Sequence, residues 1–550
     1  MSYYVERQKI KMEVYGNTLR SKFCMDIVSL EFTALWLITA VIYYIFPLRH
    51  RWLVLLTSSI YFYVKSGLIG TSMMLGAAVV VWFVARKLDE KIEKNKLYLS
   101  EHPDITKDEK KELKMALQKD KRKVLALGLV ICFTALFVFK YLNTCLDMSF
   151  SFFRFIGLNA DTPYIDMYMP LGISFYTLQA TSYIIDVYRG KIRAERNPLR
   201  VALFVSFFPQ MVQGPIGRFD RMAPQLFEGN RFNEKNIKHG LELLLWGLVK
   251  KLTLAEYAGV IANEVFNGNE KYSGFVILVG AIAYGLQVYA DFSGGMDLIR
   301  GVAQVFGIEM AINFERPYFA RSVSEFWRRW HITLGAWMRD YVFYPLSLSK
   351  KFAAMGKKTR KVFGNTVGKL LPTFLASFIA FMLVGIWHGS NMKYVGYGLW
   401  NSVIISGSIL LEPFYKKVLT KLHIREDNVL WKLFQIFRTF MLVSIGRIFS
   451  RADNLTVALR MIKSMFSDFN PQIFVDGTIL ELGLMLRAIV VLLFVAAILF
   501  VVSILQERGV KIRVSLEKAP LILQLLLISL AICFILVFGA YGSDFVYQQF

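Results

Sequence analysis

The chain has 550 residues and a mass of 63.3 kDa; 55% of the residues are apolar, 15% aromatic and 19% charged, and the mean hydropathy is +0.43. This composition excludes disorder and argues against a soluble multidomain chain, because apolar runs of membrane-crossing length recur almost from end to end. The net charge of +24 is carried by loops between those runs rather than by one aromatic-studded face, so positive-inside topology explains it and no nucleic-acid partner is expected.

In chain order, the first 27 residues form a polar tail with no apolar core, so no cleavable signal peptide is expected there. The clearest membrane spans are 28–46, 68–85, 124–140, 240–262, 273–290, 370–387, 394–411, 430–448, 482–505 and 519–540. The stretches 52–64, 170–187 and 199–212 are shorter or broken by glycine, proline or polar residues, which membrane depth tolerates only under a cover of protein or around a water-filled cavity. An all-α polytopic membrane protein with 10 to 14 crossings follows, as a single membrane domain over residues 28–550.

Residues 86–123 interrupt it with 13 Lys or Arg against 9 Asp or Glu; they read as a cytoplasmic helical insertion, a surface hairpin, or as a solvated loop, the preferred reading. Lys350–Lys369 has seven basic residues and no acidic one, which reads as a second cytoplasmic loop. If the first three spans each cross once, the tail carrying Arg7, Lys9, Lys11, Arg20 and Lys22 lies outside, against the charge rule; a native start at Met25 removes that conflict. Cys24, Cys132, Cys145 and Cys533 are scattered without C-x-x-C spacing and read as small buried hydrophobes, so neither a disulfide framework nor a metal site is expected.

Four segments do not behave as ordinary spans. Phe207–Leu226 places Pro209, Gly214, Pro215 and Gly217 in an apolar setting, which breaks a helix and exposes backbone amides. Tyr284–Gly301 holds Asp291 and Asp297 near Ser293, Gly294 and Gly295; these carboxylates are expected to pair with Arg300 or with the arginines around 328, or else to shape a polar tunnel. From Ser322, with Glu325 three residues on as a capping box, a helix is predicted whose apolar face carries Phe326, Trp327, Trp330, Leu334, Trp337, Met338 and Tyr341, interrupted by Arg328, Arg329, His331, Arg339 and Asp340. It is too charged to span lipid and reads as an interfacial or re-entrant helix, either functional or a plain peripheral anchor. Finally, Gly385 and Gly389 flank Trp387 and His388 at the end of an almost uncharged run, where an ionisable side chain marks a functional path unless it is merely a satisfied interfacial histidine.

Of the six histidines, His50, His102, His239 and His423 fall in or beside charged segments, whereas His331 and His388 each follow a tryptophan among aromatics. Imidazole suits proton abstraction near neutral pH, and a hydroxyl needs such a base to become a nucleophile. No G-x-S-x-G elbow, H-E-x-x-H helix, Walker loop or dinucleotide fingerprint occurs in the sequence, so serine-hydrolase, zincin and nucleotide-driven chemistry lack support.

The blocks PLGISFYTLQATSYIIDVYRG (170–190), SFFPQMVQGPIGRFD (206–220), DFSGGMDLIRG (291–301), INFERPYFARSVSEFWRRWHITLGAWMRDYVFYPL (312–346), GIWHG (385–389) and RIFSRADNLTVALRMIKSMF (447–466) occur in that order. Together they resemble the membrane-bound O-acyltransferase superfamily, in the bacterial branch that serves alginate O-acetylation and teichoic-acid D-alanylation. The length and the ending FVYQQF fit the alginate type somewhat better.

The resemblance implies a ring of helices with re-entrant and interfacial pieces around a central tunnel, and acyl transfer across the membrane onto a hydroxyl. It implies His388 as the catalytic histidine and His331 as the second histidine; the residues themselves place Trp327, Trp330, Trp387, Gly385, Gly389, Asp291, Asp297, Arg328 and Arg329 as candidates along the substrate tunnel. No bound cofactor is expected. The partners implied are membrane lipid, a cytoplasmic thioester donor (acetyl-CoA or an acyl-carrier protein) and an extracytoplasmic acyl-relay or esterase-like protein. Acetyl is the expected group, with D-alanyl transfer to teichoic acid as the alternative; a proton-coupled transporter or flippase, or an inactive scaffold, are readings of another class.

Overall fold

The structure is a computed structural model that describes residues 25–158, 161–167, 169–468 and 470–540. The basic tail with Arg7 to Lys22, Cys24 and the ending FVYQQF lie outside the described residues, and with them the question of the native start. Among the described residues all regular structure is helical apart from one antiparallel bridge, Phe314 to Trp330. Eight helices among the described residues are long and apolar enough to cross a bilayer, and the chain is a multi-pass membrane protein.

Two compact units divide the chain. The first comprises the described residues up to Leu241 with Ile299–Met310, and the second comprises Glu242–Leu298 with the residues from Ala311 onward.

In the first unit, Ser29 caps the helix Leu30–Ile45 by accepting from Phe32 N at 3.1 Å. The helix Arg51–Ser66 follows, and the buried rings of Phe32, Phe62 and Phe208 pack edge-on or tilted against one another. The charged stretch 86–123 is helical except for a short turn, which agrees with the helical-insertion reading and not with a solvated loop: the helices Leu68–Glu101 and Lys107–Phe155 run through it. The cause is local. Thr106 accepts from Glu109 N while Glu109 accepts from Thr106 N, so two otherwise orphaned amides start the second helix, and these bonds hold the Glu109 carboxyl below its usual range. The stretch 199–212 is divided at Phe207 into Pro198–Ser206 and Phe208–Gln213. Gln210 covers the broken backbone, donating to Pro215 O at 2.6 Å and to Gln179 Oε1 at 2.7 Å.

In the second unit, burial separates core from lipid-facing helices. The most apolar window of Gly274–Val305 is 67% buried, whereas that of Leu521–Phe538 is 6% buried, and its exposed Leu525, Leu526 and Leu530 are tolerable only in hydrocarbon. That helix carries Cys533, which is exposed rather than a buried hydrophobe; Cys132 in the other unit is buried and Cys145 half-buried.

The basic segment from Lys350 is helical too. It begins the helix Lys350–His388, which turns at Gly364, where φ is 74°, and Thr359 Oγ1 donates to Gly368 O at 2.8 Å across the turn. The following helix, Met392–Lys421, returns alongside, capped by Asn391 accepting from Lys393 N at 3.0 Å. The two backbones meet at Gly385 and Gly398: a Cβ at Gly385 would lie 2.6 Å from Tyr394 O and 2.7 Å from Gly398 N.

Gly385→Ala is therefore expected to push these helices apart, destabilising the protein by about 1–3 kcal/mol. Thermal unfolding of the detergent-purified protein should show a lowered midpoint; an unchanged midpoint would contradict the close approach.

Candidate active site

The predicted helix across 322–341 is broken, and the break makes the site. Ser322 caps the helix Val323–Arg329, accepting from Glu325 N at 3.1 Å, while Glu325 bonds Arg321 N rather than completing the box on Ser322. The chain then leaves helical geometry: Trp330 is extended, His331 takes left-handed values with φ 47° and ψ 50°, and a new helix runs Ile332–Met338. Periodicity alone misses this turn, because the apolar residues keep helical spacing on both sides of it.

Asn313 holds the turn. Its backbone oxygen accepts from Ile332 N at 3.0 Å, and its Oδ1 accepts from Thr333 N at 2.9 Å and from Thr333 Oγ1 at 3.0 Å. A backbone N–H can only donate, so Oδ1 must face Thr333 and Nδ2 must face His331 Nδ1, 3.2 Å away. Neutral His331 then accepts at Nδ1 and carries its proton on Nε2. Glu315 N donates to Arg329 O at 2.9 Å and continues the pairing on the other side of the bridge.

His388 is the last residue of its helix and is 6% exposed; His331 is fully buried. An aromatic series joins them. Phe292 lies edge-on to His331 with centroids 4.9 Å apart, His331 lies 5.8 Å from Trp387, Trp387 lies 5.1 Å from His388, and Tyr397 flanks His388 at 5.7 Å. Beside His388 is a small, partly open cavity of about 30 Å³, bordered among others by Tyr284, Trp330, Tyr394, Tyr397 and Arg447. A cavity of that size takes one water-sized group, such as a carbonyl oxygen.

The remaining predicted residues are distributed around this centre. Trp330 borders the cavity, and Trp327 is buried with Nε1 donating to Asn401 Oδ1 at 2.9 Å. Gly385 and Gly389 sit in the helical hairpin that carries His388; a Cβ at Gly389 would collide with the Tyr394 ring.

Asp291 and Asp297 are paired with two lysines that the sequence reading did not name. Lys251 Nζ lies 2.8 Å from Asp291 and 2.9 Å from Glu256, and Lys250 Nζ lies 2.7 Å from Asp297 and 3.0 Å from Ser293. The lysines arrive there because the span 240–262 is not one regular helix: residues Lys250–Ala255 form a π-helical segment that turns consecutive lysines inward. Arg328 is exposed and bonded to Ser324 Oγ, and Arg329 pairs with Glu325 and Glu507, each at 2.8 Å; both arginines are engaged away from the cavity.

The sequence reading did not single out Asn313, Tyr397, Lys250, Lys251 or Arg447. A signal existed for the last three, as lone or paired cations inside otherwise apolar spans. Asn313 offered none, since its role depends on a backbone turn.

A family model described as "MBOAT, membrane-bound O-acyltransferase family" matches residues 192–450, which include both histidines and Arg447. A Pseudomonas syringae pv. tomato protein named "Probable alginate O-acetylase AlgI" is 34% identical over 355 residues, 64% of this chain and 61% of that protein. The Azotobacter vinelandii protein of the same name is 28% identical over 474 residues, 86% of this chain and 82% of its own. A Helicobacter pylori protein named "Peptidoglycan O-acetyltransferase" is 29% identical over 441 residues, 75% of this chain and 73% of its own. The chain spans 54 to 66% of the length of the Pseudomonas relatives it matches.

A non-glycine residue in the left-handed region costs about 1–2 kcal/mol. His331→Gly should accordingly unfold at higher temperature than His331→Ala although both lose the imidazole. Equal midpoints would show that the turn is not fixed in that conformation.

Proposed function

Because the chain belongs to the membrane-bound O-acyltransferase family, we propose that it transfers a small acyl group, acetyl, from a thioester donor to a hydroxyl. The donor is acetyl-CoA or an acyl-carrier protein at the basic cytoplasmic face. The acceptor is a hydroxyl of an exported cell-surface polysaccharide, or of an extracytoplasmic relay partner, at the cell membrane. The names of the three relatives above, all O-acetylating, support acetyl over D-alanyl.

One observation carries the reading: a nearly buried imidazole, His388, ends a helix at a small cavity, with the second histidine one tryptophan ring away. His388 takes the proton of the acceptor hydroxyl while its oxygen attacks the acyl carbonyl carbon, and the carbonyl electron pair moves onto oxygen. Collapse breaks the carbon–sulfur bond, and the thiolate recovers the proton from the imidazolium. The imidazolium formed in between lies in the last turn of its helix, where the partial negative charge of the C-terminal carbonyls favours a cation. His331, held with its proton on Nε2 by Asn313, is assigned to orient the acceptor. The aromatic walls exclude water, which protects the thioester from hydrolysis.

The test is made in cells whose own copy is deleted, measuring base-labile acetate on the envelope polysaccharide together with the abundance of the chain in membranes. His388→Ala should reduce ester to the background of the deletion strain at unchanged abundance, because it removes the base and little core volume. Ester at the wild-type level in that variant is incompatible with the proposal.

A further inference from the structure

Arg447 is the buried charge that the mechanism above does not use. It stands inside the membrane-spanning helix Val429–Arg451 and is 5% exposed. Its Nη1 donates to Gly285 O at 2.6 Å and to Tyr318 Oη at 2.5 Å, and Tyr318 in turn donates to Gly285 O at 2.6 Å. The guanidinium carbon lies 4.5 Å from the centre of the Trp330 ring, which accounts for part of its desolvation.

Nothing balances the rest. Its Nη2 is buried without a hydrogen-bond partner, and among the described residues no carboxylate forms an ion pair with Arg447. Removing a guanidinium from water without a counter-charge is unfavourable by several kcal/mol, so a group retained in this state suggests a charge that arrives later. Arg447 borders the same 30 Å³ cavity as His388. In acyl transfer onto a hydroxyl, the one negative charge that develops beside the base is on the acyl oxygen.

We infer that Arg447 is a catalytic residue: its free Nη2–H group donates a hydrogen bond to the acyl carbonyl oxygen and stabilises the oxyanion as the hydroxyl adds. No covalent bond forms to Arg447 and no proton leaves it; the oxyanion collapses to the new ester as the thiolate departs. The inference rests on the acyl-transfer reading. It adds that the electrophilic half of the site is a guanidinium pinned from one side only, through Nη1, by the Gly285 carbonyl and Tyr318. Gly285 itself is part of the fitting, since a Cβ there would lie 2.7 Å from Nη1 and would displace the end of the Arg447 side chain.

The experiment uses membranes from cells expressing the full chain, supplied with radiolabelled acetyl-CoA over a range of concentrations, with rates of ester formation divided by the abundance of the chain. Arg447→Gln should lower kcat by about 10²–10³-fold with KM for acetyl-CoA little changed, the loss typical of one oxyanion donor. Gly285→Ala, which keeps the guanidinium but shifts it, should lower kcat in the same direction at normal abundance.

Two unreactive analogues give a readout that a merely structural role would not move. S-(2-oxopropyl)-CoA carries a ketone one methylene beyond the position of the thioester carbonyl, and S-propyl-CoA, of the same chain length, carries none. Wild-type protein should bind the ketone more tightly than the alkyl analogue, and Arg447→Gln should bind both alike. Wild-type kcat in Arg447→Gln, or the same preference for the ketone in both proteins, overturns the assignment while leaving His388 as the base. Wild-type membranes that form no ester at all overturn the acyl-transfer reading and this inference together.

Discussion

The site depends on one buried carboxamide. Asn313 uses its backbone oxygen, its Oδ1 and its Nδ2 to bind the first amides of a helix and the imidazole just before it. These bonds hold His331 in a left-handed conformation that nothing in a continuous helix would allow, and the side chain is thereby set against Phe292 and Trp387. In an apolar interior each unsatisfied backbone amide costs several kcal/mol, so the break in the helix survives only because a side chain substitutes for the missing helical partners.

The same constraint recurs wherever polarity enters the second unit. Lys250 and Lys251 are turned inward by a π-helical segment and meet Asp297, Asp291 and Glu256, a set of buried charges that no neighbour could replace singly without leaving an uncompensated ion. This scaffold lies on the helix Gly274–Val305, which also supplies Gly285 to Arg447 and Phe292 to His331. One helix therefore supports both histidine packing and the guanidinium, and its deep burial fits that use.

Much of the architecture was legible in the sequence because lipid imposes length and hydropathy on helices independently of packing. The break at 199–212 was also legible, since proline and glycine act locally. What escaped was set by tertiary geometry. The charged stretch 86–123 left a helical insertion and a loop both open, and the Thr106 capping box decides for the helix; 350–369 read as a loop by its charge, whereas its backbone is helical on both sides of the turn at Gly364.

His331 and His388 stood out by type and setting, yet their approach through Trp387 depends on chain segments 57 residues apart in sequence. The pairing of Asp291 and Asp297 was anticipated without its lysine partners, which sit in a π-helical segment that α-helical periodicity does not describe. Arg447 lay within a recognisable block, but only its single-sided bonding distinguishes it from a structural arginine.

The account stands or falls on where the acyl carbonyl lodges. The direct measurement is an experimental density map of the protein in lipid nanodiscs with the ketone analogue of acetyl-CoA bound. The account predicts the ketone oxygen within hydrogen-bonding reach of Arg447 Nη2, with its carbonyl carbon facing His388 across the cavity bordered by Tyr397 and Trp330. A ketone seated elsewhere, with that cavity closed and His388 out of its reach, would contradict it.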